Sequence, residues 1–345
     1  MKQVFTAIIL SLISIANSNA QDLSNGGPGQ YMSAIINAHT DMNKKYMAYM
    51  SAAAHIHRKR KIEKMRMQAL ESIEKSLGAT GELPYYKGDN SLRKSSMDYI
   101  KFCYSVFNDD YSKIVNMEEI AEQSYDAMEA FLLLQEKTEE KIKQANAQMN
   151  DAEKAFAAKY NVNLVDQKDE LDEKMIQANK LTAYTNKLYL IFFKCYWEDG
   201  EIVKAMNTGK ITSMEQARTS LIKFANEGLQ TLDTLKNFQG DPALANSCKM
   251  VLNFYKKMGE NDLPKQMDYF LKKENFEKIK KAFEGKSNPS KAEVDAYNSA
   301  VKDLNNSMNS FNELVKNTND RRNEVLNDWN NSEKTFSDSH MPYYK

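Results

Sequence analysis

Glycine and proline are scarce, with 12 and 6 among 345 residues. No glycine lies between Gly88 and Gly200 and no proline between Pro84 and Pro242, while Lys, Glu, Ala, Leu, Met and Gln are plentiful. A stretch of that length without either breaker predicts mostly helix. No segment alternates with period two for long enough to suggest a sheet. Cysteine is limited to Cys103, Cys195 and Cys248, which excludes a disulfide-dense scaffold. The aromatic neighbours of Cys103 and Cys195 predict buried thiols, and one bridge plus one free thiol remains open. Neither charge sign is in excess, at 47 basic and 47 acidic residues, which argues against a general nucleic-acid binder. G-x-S-x-G, H-E-x-x-H, Walker, G-x-G-x-x-G and C-x-x-C motifs are all missing, so the sequence predicts no enzyme and no cofactor. Nor does it predict a metal site. His55 and His57 would point about 200° apart on a helix, His39 and His340 are remote, and no Glu-x-x-His pair occurs.

The first twenty residues carry the clearest single signal. Lys2 supplies a positive start, Phe5 to Ile15 an apolar core and Ser18-Asn19-Ala20 a small-residue cleavage site before Gln21. This predicts a signal peptide over 1–20 and an exported protein of the periplasm, cell surface or exterior. The apolar core is too short for a bilayer span. A flexible leader over 21–29 contains Gly26-Gly27-Pro28-Gly29.

Periodicity and punctuation predict helices over 30–77, 90–107, 112–160, 164–207, 212–237, 242–258, 265–284 and 289–335. Asp241-Pro242 and Asn288-Pro289 read as cap-and-N1 starts, Ser213 with Gln216 and Asn116 with Glu119 as capping-box spacings. Near the C-terminus Val294, Tyr297, Val301, Leu304, Met308, Phe311, Val315, Thr318, Arg322, Val325 and Trp329 step by threes and fours, a five-heptad seam. The chain also echoes itself. Leu77, Tyr86-Lys87-Gly88-Asp89, Leu92 and Phe102 recur as Leu229, Phe238-Gln239-Gly240-Asp241, Leu244 and Phe254, each 152 residues on. The reading is an all-α protein of long-helix bundles, two tandem related ones over 30–162 and 163–336 with coiled-coil-like packing, and a tail over 337–345. The joint is expected near 161–166, with one continuous helix shared by both bundles as the alternative.

Candidate binding residues are few. Tyr85, Tyr86 and Asp89 form an aromatic and acidic loop of the kind found at contact surfaces, although their echo at Phe238 to Asp241 favours capping and end-packing. Arg58 and Arg60 belong to the basic block His57-Arg58-Lys59-Arg60-Lys61, which could hold an acidic or phosphorylated partner or an anionic membrane. A solvated helix face balanced by Glu63, Glu71 and Glu74 explains it as well. Leu188 to Trp197 is apolar nearly all round, which predicts an enclosed central helix and leaves a membrane-touching hairpin as the alternative. Glu118, Glu119, Glu122, Asp126 and Glu129 crowd one helix as a solvated acidic face.

The run from Tyr85-Tyr86-Lys87-Gly88-Asp89 through Leu92-Arg93 to Tyr111-Ser112-Lys113-Ile114-Val115-Asn116-Met117-Glu118-Glu119 and Ser124-Tyr125-Asp126-Ala127-Met128-Glu129 resembles a family of helical surface and exported proteins of Bacteroidota and leptospires. The resemblance implies a compartment and a helical fold and brings no catalytic residues. The expectation is a non-catalytic exported bundle that presents long helical faces to a protein partner or to itself, without nucleic acid and without a transmembrane segment. Membrane-active and toxin-like action is one alternative, and a periplasmic ligand carrier or enzyme using Tyr85, Tyr86 and Asp89 is another.

Overall fold

The computed structural model describes residues 27–55, 59–110, 124–164 and 170–344. The expected signal peptide, most of the leader, His57, Arg58, the Asn116–Glu119 capping pair, part of the run that carries the resemblance and part of the expected joint lie outside them. Among the described residues there is no strand, and nine α-helices account for almost everything. They are α1 Pro28–His55, α2 Lys59–Glu82, α3 Ser91–Ser105, α4 Tyr125–Tyr160, α5 Glu170–Thr208, α6 Ile211–Thr234, α7 Ala243–Lys257, α8 Leu263–Glu284 and α9 Lys291–His340. The fold is all-α.

Contacts divide the described residues into two units. Unit 1 runs to Asn186 and takes back the chain from Ser337 onward; unit 2 is Lys187–Phe336. The division falls inside α5, later in the chain than the joint expected near 161–166, so that this one helix contributes to both units.

Both units use one skeleton. The span of α2 maps onto α6 and that of α3 onto α7, start and end, 152 residues on. The π-helical turn Val106–Asp110 that follows α3 maps likewise onto Met258–Asp262 after α7. The turn before α3 is also duplicated. Lys87 and Gly88 have φ of 51° and 81°, Gln239 and Gly240 have 51° and 83°, so each hairpin turn places two successive residues in the left-handed region. Each turn pairs its flanks, Tyr86 with Asp89 and Phe238 with Asp241. Each aspartate then accepts the backbone N–H two residues on, Ser91 or Ala243, at 2.8 Å. Matching positions are buried in both: Leu92 and Leu244, Tyr99 and Val251, Ile100 and Leu252, Val106 and Met258.

The expected helix over 30–77 is instead the antiparallel hairpin of α1 and α2, in which Ser76 and Ser72 donate from α2 to the Ala38 and Asp41 carbonyls of α1. Copy 1 lacks a glycine at this break, where copy 2 has Gly209 in the left-handed region, so the break left no mark in the first copy. Caps also differ from expectation. Asp241 acts one residue before the cap position, through the Ala243 N–H. The box that starts α9 is Ser290 with Glu293, whose carboxylate accepts the Ser290 N–H at 2.8 Å, rather than Asn288. Ser213 lies inside α6, past its start.

In unit 1, α1 is the central helix, buried from Tyr31 to Ala52 on most of its circumference. In unit 2 the run from Leu188 to Trp197 is core on one side only and not enclosed all round as expected, since Tyr189, Leu190, Ile191, Lys194 and Trp197 are half-buried and Tyr196 is 46% exposed. Leu188, Phe193 and Cys195 are fully buried, Phe192 stacks on Trp329 at 4.8 Å, and Lys194 lies 5.5 Å over the Phe224 ring. Gly228 lets α6 approach closely, since a Cβ there would sit 2.8 Å from both Ile191 and Leu252 side chains.

The heptad seam of α9 is a correction of degree. It is buried at Thr318, Val325 and Trp329, but its first half, Val294 to Val315, is only half-buried and Met308 is 39% exposed. The rings meeting that half come from α8: Tyr269 stacks on Phe311 at 4.5 Å and Phe283 on Tyr297 at 4.4 Å. Two antiparallel helices alone cover one stripe of each other and leave the flanks wet. The result is an arm built from α8 beyond Met267 and α9 before Thr318.

Candidate functional site

Tyr85, Tyr86 and Asp89 sit at the end of unit 1 where α2 hands over to α3. Leu83-Pro84 ends α2, because the residue before a proline is pushed out of helical geometry. Tyr86 is buried against Tyr31, Phe156 and Tyr160, with ring centroids 5.4, 5.5 and 4.9 Å away. Asp89 accepts from Lys159 Nζ at 2.7 Å and from the Tyr160 hydroxyl at 3.0 Å, besides the Ser91 N–H. Those donors, Lys159 foremost, hold its carboxyl well below the usual carboxylate range. Its oxygens are thus taken up in fastening the start of α3 to the end of α4. Tyr85 is exposed and lies under the Arg93 guanidinium at 4.8 Å, while Arg93 donates to the Leu83 carbonyl at 2.6 Å.

Arg60 is exposed in the first turn of α2. At 1.5 Å per residue that lies about 33 Å along the helix from Glu82, so it does not join the tyrosine loop. Arg58 is outside the described residues. The structure therefore brings Tyr86 and Asp89 together as a packed corner, leaves Tyr85 on its rim and separates Arg60 from all three.

Unit 1 holds a second, buried group that the sequence reading missed. His39 Nε2 meets the Ser96 hydroxyl at 2.8 Å, and its ring lies 5.3 Å from that of Tyr99. The Tyr99 hydroxyl donates to Asn146 Oδ1 at 2.7 Å. Glu153, on the same face of α4 as Asn146, is 2% exposed. Burial pushes the Glu153 carboxyl up to about 7 and the His39 imidazole down to about 4, so both favour their neutral forms. Cys103 belongs to the same neighbourhood, and burial raises its thiol to about 12. Asn43, one turn beyond His39, is fully buried. A signal was present in the sequence: His39 and Asn43 lie four apart on an otherwise apolar face, and Ser96, Tyr99 and Cys103 repeat at three and four.

The matching positions in unit 2 are Ile191, Cys195, Cys248, Val251 and Tyr255, for His39, Asn43, Ser96, Tyr99 and Cys103. All three cysteines are free and buried, and burial raises the Cys195 thiol as it does that of Cys103, so neither of these two favours the reactive thiolate. Unit 2 has its own buried polar feature. Arg322 Nε and NH2 donate to the two carboxylate oxygens of Asp199 at 2.7 and 2.8 Å, with Asp199 almost wholly enclosed. Burial raises Asp199, and Arg322 pulls in the opposite direction.

No protein-family model, curated protein or solved structure matches the chain.

Among the described residues no three His, Cys, Asp or Glu side chains gather where they could hold a metal ion, and no helix is long and apolar enough to cross a membrane. Three surface depressions among the described residues are grooves along helix pairs. One of about 690 Å³ runs between α1 and α2, lined by Lys44, Lys45, Lys75, Asp41 and Glu71, with Tyr344 at one side. The other two share Leu314 and Asn317, one toward Phe254 and Met250 of α7 and one along the arm.

Proposed function

We propose that the protein is an exported, non-catalytic helical interaction module that uses the arm of unit 2 to meet a protein partner. One observation carries the reading. The hydrophobic seam of α9 continues unbroken through the arm, yet every side chain of α8 after Met267 and of α9 before Thr318 keeps solvent contact. Leu271 and Met308 are openly exposed on it. A surface helix whose apolar stripe is only half covered has contact area to offer a further helix. The export signal read in residues 1–20 and the resemblance to helical surface proteins support a location in the cell envelope or outside it. Tyr85, Tyr86 and Asp89 contribute to folding in this reading, and Arg60 to a solvated face.

The experiment is cross-linking in the native envelope fraction with the full chain and with Leu271→Glu/Met308→Glu. Both positions are exposed, so the variant keeps its fold and circular dichroism verifies that. The expected result is one defined cross-linked species that the double variant loses. An identical pattern for both proteins, or saturable turnover of a defined substrate that a single side-chain change abolishes, would overturn the proposal.

A further inference from the structure

The two copies differ in length at the arm. Asp262, which ends the second π-helical turn, follows its counterpart Asp110 by 152 residues. Phe336 follows Phe156 by 180, yet the two play one part: Phe156 meets Tyr86 edge-on at 5.5 Å, and Phe336 meets Phe238, the counterpart of Tyr86, edge-on at 6.1 Å. At that wider spacing Thr138 and Thr318 are both buried, as are Met149 and Trp329, and α4 and α9 end together at Tyr160 and His340. Unit 2 therefore carries 28 extra residues between its π-helical turn and the buried half of α9. Half of them are in α9, which has 50 residues against the 36 of α4. The other half falls between Asp262 and Lys291, in α8 and the turn after it. Fourteen residues are two heptads, so the insertion lengthens each helix of the hairpin and keeps its apolar stripe on the seam.

The frame does not need that length, since copy 1 forms without it, and the added stripe is poorly covered. Met308 is openly exposed where its counterpart Met128 is buried. Toward the tip, Tyr297 is covered only in part, by Phe283 at 4.4 Å and Phe276 at 5.9 Å, and all three rings keep solvent contact. A second copy of the arm suits this surface in charge and in size. From Asp268 to Glu284 and from Lys291 to Asn317 there are eight lysines and eight acidic residues, so two arms carry no net charge to drive them apart. The helical part of α8 beyond Met267 is about 26 Å long and a helix pair about 20 Å across, so one face offers roughly 500 Å² and two faces together about 1,000 Å², where specific interfaces begin.

We infer that the partner of the arm is a second copy of this chain: two arms lie face to face about a two-fold axis as a short four-helix bundle, and the two-heptad extension is the element that pairs them. This rests on the reading of the arm as a contact surface and names what covers it. Because a two-fold interface uses the same patch twice, Leu271 and Met308 of both copies leave water together. An interface of this size is weak, so the dimer forms and dissociates with concentration.

Analytical ultracentrifugation of the purified full chain tests it, over about 1 to 300 μM, which brackets the dissociation constants of weak interfaces. The mass should rise from that of the monomer toward twice that value. Leu271→Glu/Met308→Glu should stay monomeric throughout, with a circular dichroism spectrum like that of the wild type. Met67→Glu, a change at an equally exposed apolar residue of α2, should dimerise as the wild type does. A full chain that is monomeric at every concentration, a dimer that the double variant keeps, or one that Met67→Glu also abolishes would overturn the inference. A monomeric chain that still gives the defined cross-linked species in the envelope overturns the second copy alone and leaves the arm as a contact surface; absence of both dimer and cross-linked species removes that reading as well.

Discussion

The two units share their helix spans, turn geometry and pattern of buried positions, yet their interiors differ in chemistry. Where unit 1 places His39, Asn43, Ser96 and Tyr99, unit 2 has Ile191, Cys195, Cys248 and Val251. Unit 2 instead buries one bidentate ion pair, Asp199 with Arg322. The frame is therefore set by features both copies keep: a left-handed turn, an aspartate that accepts the N–H two residues later, and a leucine one turn into the next helix. The central side chains vary provided that volume is filled, and the unit 1 interior tolerates the Asn43 amide and one Glu153 oxygen buried without a hydrogen bond. Polar side chains at these positions in one copy and apolar or thiol side chains at the matching positions in the other make each unit a control for its twin.

The largest expected effect comes from breaking the unit 2 ion pair. Arg322→Ala leaves Asp199 buried without its partner and should cost about 3–5 kcal/mol. The double change Arg322→Met with Asp199→Met should recover most of that loss in urea unfolding followed by circular dichroism.

Next comes the polar core of unit 1, which should respond to pH with two opposite signs. Glu153 has a folded-state pKa raised to about 7, so its contribution is full below its unfolded value and is lost as pH rises through about 4.5 to 7. His39 has a folded-state value lowered to about 4. Its contribution is full above the unfolded value and is lost as pH falls from about 6.5 to 4. The two slopes oppose each other between. Glu153→Gln should therefore gain on the wild type by roughly 3 kcal/mol across the window from pH 4.5 to 7, and His39→Gln by a similar amount as pH falls through its own window. Unfolding titrations at half-unit pH steps measure both differences. Parallel curves for variant and wild type would remove the titrating core from the account.

A smaller effect tests the shared turn. Alanine at Gly88 or at Gly240 must enter the left-handed region, and each change should cost about 1 kcal/mol, nearly equal in the two copies, by thermal unfolding. The smallest lies on the arm. Leu304→Ala removes a half-buried side chain and should cost under about 1 kcal/mol, whereas Trp329→Ala, on the same helix but fully buried, should cost about 3–5 kcal/mol.

Sequence reading reached the helical class because long runs without Gly or Pro leave few other options, and it found the repeat because turn residues are read locally: Lys87-Gly88-Asp89 and Gln239-Gly240-Asp241 need nothing beyond themselves. It missed the α1–α2 break because copy 1 lacks the glycine that marks it in copy 2. Carrying the 152-residue offset from Gly209 back to residue 57 would have found it. The seam of α9 misled for another reason. A heptad pattern reports which stripe faces a neighbour, while burial depends on how many neighbours there are, and along the arm α8 supplies the contacts. Of the site, the Tyr86–Asp89 corner was legible and the His39–Glu153 group was not. Its members come from three helices and meet only once α1, α3 and α4 pack.

An experimental structure of the full chain tests the central claim, that one helical frame occurs twice with different interiors, most directly. The account predicts helix starts at 59 and 211 and at 91 and 243, positive φ at both Lys87 and Gln239, and His39 against Ser96 where Ile191 and Cys248 occupy the second copy. Helix boundaries out of that 152-residue register, or His39 on the solvent side of α1, would contradict it.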